Sequence, residues 1–153
     1  MRLPRTSLRL VGLLVGIAGP MPAAGCAHYI RAMAHEAWVL GGGRALMVYG
    51  GPGHTTYIGC LTCSNGDRDS VFAAGGTYNG ANYGPSIVNA GSVFVSPYSD
   101  YSACNPFATD PPVIVDERGT VYGRLTVSQW RTDGPAMDQL RAWIIGACAG
   151  GGA

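Results

Sequence analysis

Two cysteines three positions apart, Cys60-Leu61-Thr62-Cys63, are the residues of this chain best suited to chemistry. A C-x-x-C pair can exchange thiol and disulfide when a helix N-terminus or a nearby cation lowers one thiol's pKa. Here the pair follows a strand-like run and precedes Ser64-Asn65-Gly66-Asp67, a turn-forming string. The strand–helix setting of thioredoxin-like centres is absent. With Cys104 and Cys148 the pair also offers four thiolates, the number tetrahedral zinc takes. A second C-x-x-C is missing, and about 40 residues separate each later cysteine from the one before it. Structural disulfides are the favoured reading, Cys60 with Cys63 and Cys104 with Cys148, out of three possible pairings.

The remaining polar residues make weaker constellations. Asn65, Asp67 and Asp69 alternate as at the start of a calcium loop, but the glycine and the late glutamate of that pattern are missing. They read as turn formers. His35-Glu36 lacks the second histidine of H-E-x-x-H, and His28 stands apart. No G-x-S-x-G elbow, P-loop or complete dinucleotide fingerprint occurs. His54 lies in a glycine-rich turn where it can meet solvent or a ligand. Tyr78, Tyr83, Phe94, Tyr98 and Tyr101 read either as a packed core or as an exposed aromatic surface suited to glycans or peptides. The binding candidates are therefore His54, Tyr78, Tyr83, Tyr98 and Tyr101. No metal and no cofactor is expected, and a non-enzymatic role is favoured. The alternative is a thiol–disulfide or other small envelope enzyme using Cys60 and Cys63.

These residues need a scaffold, and the scaffold reads as α+β and β-rich. Ala45 to Leu61 carries β-branched and aromatic residues on both sides of Gly50-Gly51-Pro52-Gly53, the signature of a hairpin. Val113 to Val127 repeats that signature around Asp116-Glu117-Arg118-Gly119. Aspartate at the first turn position bonds backbone N–H, and glycine at the fourth accepts positive φ. Between the hairpins, Ser70-Val71, Ser86-Ile87 and Ser102-Ala103 recur every 16 residues. The spacing suggests two full units and a truncated third, each a turn with a short extended segment. One C-terminal helix is expected over about Pro135–Ala147, capped by Asp133 or Gly134. Met137, Leu140, Ile144 and Cys148 share one of its faces, which aims Cys148 at the core.

Tyr49-Gly50-Gly51-Pro52-Gly53-His54, Tyr57-Ile58-Gly59-Cys60-Leu61-Thr62-Cys63, Asp67-Arg68-Asp69-Ser70 and Pro111-Pro112-Val113-Ile114-Val115-Asp116 follow one another in an ordered string. It ends with Tyr122-Gly123-Arg124-Leu125-Thr126-Val127. The string resembles a group of small exported bacterial domains of unknown function. These share a G-C-L-x-C segment, S-I-W-N and Y-G-S-x-Y-S units, and an N-P-x-A-x-x-P-P-V-I-V-D stretch. The likeness covers about Tyr49 to Val127. Val71-Phe72-Ala73 and Ile87-Val88-Asn89 stand where that group has its tryptophan motif. The resemblance implies secretion and a β-rich fold, and carries over no catalytic residue.

The first residues also speak of export. Arg2, Arg5 and Arg9 precede the apolar run Val11 to Ala18, then Gly19-Pro20 and the small residues Ala23-Ala24-Gly25. That is the order of a signal peptide. Ala23-Ala24-Gly25-Cys26 is similar to a lipobox, with alanine where leucine is usual. Lipidation of Cys26 and ordinary cleavage near Ala24 or Ala27 both fit. The organisation expected is an export signal at 1–25, a lead-in at 26–44 and one domain at 45–150. The whole 153-residue chain carries +1, with no lysine. Without residues 1–25, seven arginines face nine acids, a charge of −2. That excludes a basic nucleic-acid footprint. The partner expected is an envelope or extracellular ligand, with a membrane tether through Cys26 where that residue is lipidated.

Overall fold

The computed structural model describes residues 41–79, 84–130 and 135–149. The export segment, Cys26, His28, His35, most of the lead-in, Tyr83 and the helix cap at Asp133 or Gly134 lie outside the described residues. Four short strands form one antiparallel sheet: β1 (Leu46–Gly50), β2 (Thr56–Cys60), β3 (Val113–Asp116) and β4 (Val121–Arg124). Their order is β2-β1-β3-β4. Both expected hairpins are present. They are joined side by side through their first strands, with Leu46 opposite Asp116 and Tyr49 opposite Val113.

Alternation along the strands assigns the two faces. Leu46, Val48 and Ile114 are buried on the inner face, while Met47, Tyr49 and Val115 are half-buried on the outer one. Against the inner face packs α1 (Pro135–Ala149), which buries Met137, Leu140 and Ile144 as its periodicity predicts. Trp143 joins them and meets Phe72 edge-to-face at 5.7 Å between ring centroids. A 15-residue helix is marginal alone in water, so this apolar face is what holds it.

The turns differ from expectation in detail. In the first hairpin Gly50 belongs to β1, and a short 3-10 turn at Pro52–His54 lengthens the connection. Ile58 bulges inwards where the register slips between Val48 and Tyr49, and it is fully buried. In the second, Asp116 Oδ1 accepts the N–H groups of Arg118 and Thr120, each at 2.9 Å, and Gly119 has φ 81°. β4 ends at Arg124. Leu125 and Thr126 then run buried towards the turn region, where the Val127 N–H bonds the Ala103 carbonyl at 2.8 Å.

Between Cys60 and Val113 the described residues form neither strand nor helix. Consecutive β-turns satisfy the backbone instead: N–H to carbonyl bonds link Asp67 to Ser64, Ser70 to Asp67, Ala73 to Ser70 and Gly76 to Ala73. Short polar side chains reinforce them. The buried Ser70, Ser86 and Ser102 each accept the N–H two residues on, at 3.2, 3.0 and 3.0 Å. The extended segments expected beside these turns are not among the described elements, because side-chain bonding of this kind competes with ladder formation. Phe94 takes the packed-core alternative of its aromatic set and is buried.

Candidate functional site

The outer face of the sheet carries a shallow groove of about 490 Å³. Met47, Tyr49, Val113, Val115 and Val121 give it an apolar floor, and His54 and Glu117 stand at its rim. Tyr49 is also the start of a row of rings. Its centroid is 5.3 Å from that of Tyr57, its cross-strand partner, and Tyr57 meets Tyr78 edge-to-face at 5.0 Å. The row exists because Gly59 has no side chain. A Cβ there would stand 2.6 Å from Val71 Cγ1 and 3.0 Å from Tyr78 Cβ, and Gly59 has φ 132°. Burial, with the charge of Asp69 beside it, pushes the Tyr57 hydroxyl well above its ordinary pKa. Tyr78 moves the same way, for the same first reason. Both hydroxyls are neutral donors across the ordinary pH range.

His54 is the one non-glycine residue with positive φ among the described residues, at 53°. Its Nε2 lies 3.1 Å from the Pro111 carbonyl oxygen and 3.0 Å from Asp110 Oδ1. A carbonyl oxygen only accepts, so Nε2 carries the proton and, in the neutral ring, Nδ1 is the acceptor. The contact fixes the tip of the first hairpin to the segment entering β3.

At the other end of the groove Asp116 is enclosed by Arg44 and Tyr122. Arg44 Nε stands 2.9 Å from Asp116 Oδ2, an ion pair not aligned as a hydrogen bond. Arg44 Nη2 donates to the Tyr122 hydroxyl at 2.6 Å, and that hydroxyl donates to Asp116 Oδ2 at 3.3 Å. Burial disfavours the charged carboxylate. The N–H groups of Thr120 and Arg118, with hydroxyl donors from Thr120 and Tyr122, outweigh it and hold Asp116 below its usual range. This cluster organises the second hairpin and presents no reactive group of its own.

The cysteines pair as Cys60–Cys63 and Cys104–Cys148, with Cα atoms 5.5 and 5.6 Å apart. The S–S bonds consume the thiolates that zinc would need. Cys104–Cys148 fastens the last turn of α1 to the turn region, as the helical face of Cys148 predicts. Beside it lies a smaller apolar hollow of about 210 Å³, lined in part by Ile87, Val95 and Pro97.

Compared with family models, curated proteins and solved structures, the chain matches none of them. No activity therefore reaches the site from a relative.

Of the residues singled out from the sequence, His54 and Tyr78 flank the same sheet face. Tyr98 is 92% exposed on a separate turn, and Tyr101 packs half-buried against the core. Neither makes a ring contact with the row among the described residues. Tyr49 and Tyr57, which complete the row, were legible only as strand residues. A turn confined to Gly50–Gly53 would set Tyr49 opposite His54; the longer connection through the 3-10 turn is what makes Tyr57 its partner. Arg44, Asp110 and Asp116 become neighbours of the face through the β1–β3 pairing, which no local pattern announces.

Proposed function

We propose that the chain is an exported bacterial domain, stapled by two disulfides, that works as a non-enzymatic binding or structural module at the envelope or outside the cell. The observation that carries this reading is the oxidised state of Cys60, Cys63, Cys104 and Cys148. Such bonds persist outside the reducing cytosol. The signal-like order of residues 1–25 supports the same address. Among the described residues no helix is long and apolar enough to cross a membrane. Lipidation of Cys26 would tether the domain, and ordinary cleavage near Ala24 or Ala27 would release it. The ligand is an envelope or extracellular molecule, met by the tyrosine row and the groove with His54 and Tyr78. Tyr98, exposed on its own turn, offers a second aromatic contact apart from the row. Ser70, Ser86 and Ser102 are read as copies of one turn unit. The acidic balance of the domain speaks against nucleic acid.

Expression of the full chain and of Cys26→Ser in a bacterial host, followed by fractionation and intact mass with and without reductant, tests this. The expected product lacks residues 1–25 and holds two disulfides. Wild type in the membrane fraction and Cys26→Ser released shows the tether. Both released with one N-terminus leaves a secreted or periplasmic domain. An uncleaved, fully reduced chain in the cytosol overturns the reading.

A further inference from the structure

We propose that Cys60–Cys63 is an exchangeable disulfide, opened by an incoming thiol at Cys63 and closed again by Cys60. This activity is separate from the binding role above and rests on how the two sulfurs are held. Cys60 has no solvent exposure, at the end of β2. Cys63 is part-exposed and opens the exposed run from Ser64 to Asp69. An external thiolate therefore reaches Cys63 first.

The donors are arranged for that direction of attack. The Cys63 N–H points at Cys60 Sγ at 3.0 Å, and the Thr62 hydroxyl lies 4.0 Å from the same sulfur. Charge that develops on Cys60 as the leaving sulfur meets a backbone donor. A better-stabilised leaving thiolate departs faster.

The frame around the pair does not depend on the S–S bond. The Cys60 N–H bonds the Asp69 carbonyl at 2.8 Å, and the Val71 N–H bonds the Cys60 carbonyl at 3.0 Å. The buried Ser70 hydroxyl donates to the Cys63 carbonyl at 3.2 Å. The dithiol is thus kept in place for re-closure. Thermodynamic stapling falls mainly to the other disulfide, since this one spans a sequence separation of only 3 against 44.

A thiolate from a small or protein thiol bonds to Cys63 Sγ, and the S–S electron pair leaves on Cys60 Sγ. The mixed disulfide on Cys63 is then resolved in one of two ways. Cys60 attacks Cys63 and expels the incoming thiolate. Alternatively, a second external thiolate takes the first one away as a disulfide, leaving Cys60 and Cys63 reduced by two electrons.

The test uses the oxidised exported protein, glutathione, an acid quench and peptide mass mapping. The expected first product carries glutathione on Cys63 with Cys60 free and Cys104–Cys148 intact. It should form at least about tenfold faster than Cys104–Cys148 opens, with an unchanged far-ultraviolet spectrum. Glutathione on Cys60, simultaneous opening of both disulfides, or opening only on unfolding overturns the proposal. A second measurement compares single thiols with an aromatic disulfide reagent. Cys63 in Cys60→Ser should react about tenfold faster than Cys60 in Cys63→Ser. Equal or reversed rates refute the assigned direction.

Discussion

Removing the Cys104–Cys148 bond should cost this domain far more than removing Cys60–Cys63. The perturbation is the double variant Cys104→Ala/Cys148→Ala, set against Cys60→Ala/Cys63→Ala. In the chain-entropy account, a cross-link restricts the unfolded chain in proportion to the logarithm of the loop it closes. A sequence separation of 44 corresponds to about 4 kcal/mol at 25 °C, and a separation of 3 to about 2 kcal/mol. Domains of this size have only about 5–15 kcal/mol in total. The first variant should therefore be marginal and the second comfortably folded. The folded state points the same way. Cys148 lies in the last turn of α1, whose buried anchors Met137, Leu140, Trp143 and Ile144 all precede it. Without the bond, that last turn has no covalent hold on the turn region. Urea unfolding at neutral pH, followed by circular dichroism and extrapolated to water, is the assay. The wild type should exceed the Cys104/Cys148 variant by about twice as much as it exceeds the Cys60/Cys63 variant. A loss below about 1 kcal/mol for Cys104/Cys148, with an unchanged denaturant slope, refutes the reasoning.

Two further perturbations probe the sheet. Asp116 is held below its unfolded pKa, so its contribution is fully present above the unfolded value of about 4. It is lost as pH falls through the lower folded value. Wild type should therefore lose stability below about pH 4 more steeply than Asp116→Asn, which is already weaker at neutral pH; parallel acid melts remove Asp116 from this role. Gly59→Ala places a methyl against Val71 and Tyr78 at a position with φ 132°. It should cost about 2–4 kcal/mol and change the near-ultraviolet tyrosine signal, and an unaltered spectrum with a loss below about 0.5 kcal/mol contradicts the role given to this glycine.

Local features of this fold were readable because their causes are local. The Asp116 turn, the apolar face of α1 and both hairpins follow from residues within a few positions of one another. So does the aim of Cys148 at the core, from which the disulfide pairing was drawn. The pairing of β1 with β3 was not legible, since Leu46 and Asp116 meet across most of the domain. With it went the groove, the Arg44–Asp116–Tyr122 cluster and the contact of His54 with Asp110. The turn region misled for another reason. Serine and asparagine bond backbone groups through their own side chains, so an apparent period need not mark a strand-bearing unit. Of the aromatic set, only the sheet's geometry could separate Tyr78, which joins the row, from Phe94, which fills the core.

The β1–β3 pairing also bears on how the chain reaches this shape. Each hairpin can close on its own within microseconds, because its strands are neighbours in sequence. Joining them closes a loop containing the whole turn region, and long-range pairing of that kind slows folding. Loop-closure entropy rises with the length of flexible chain between the ends. Serial turns from Ser64 onwards gather that chain into a compact spacer through bonds only two or three residues long. The segment with the least regular structure thereby sets how quickly the two halves of the sheet find each other.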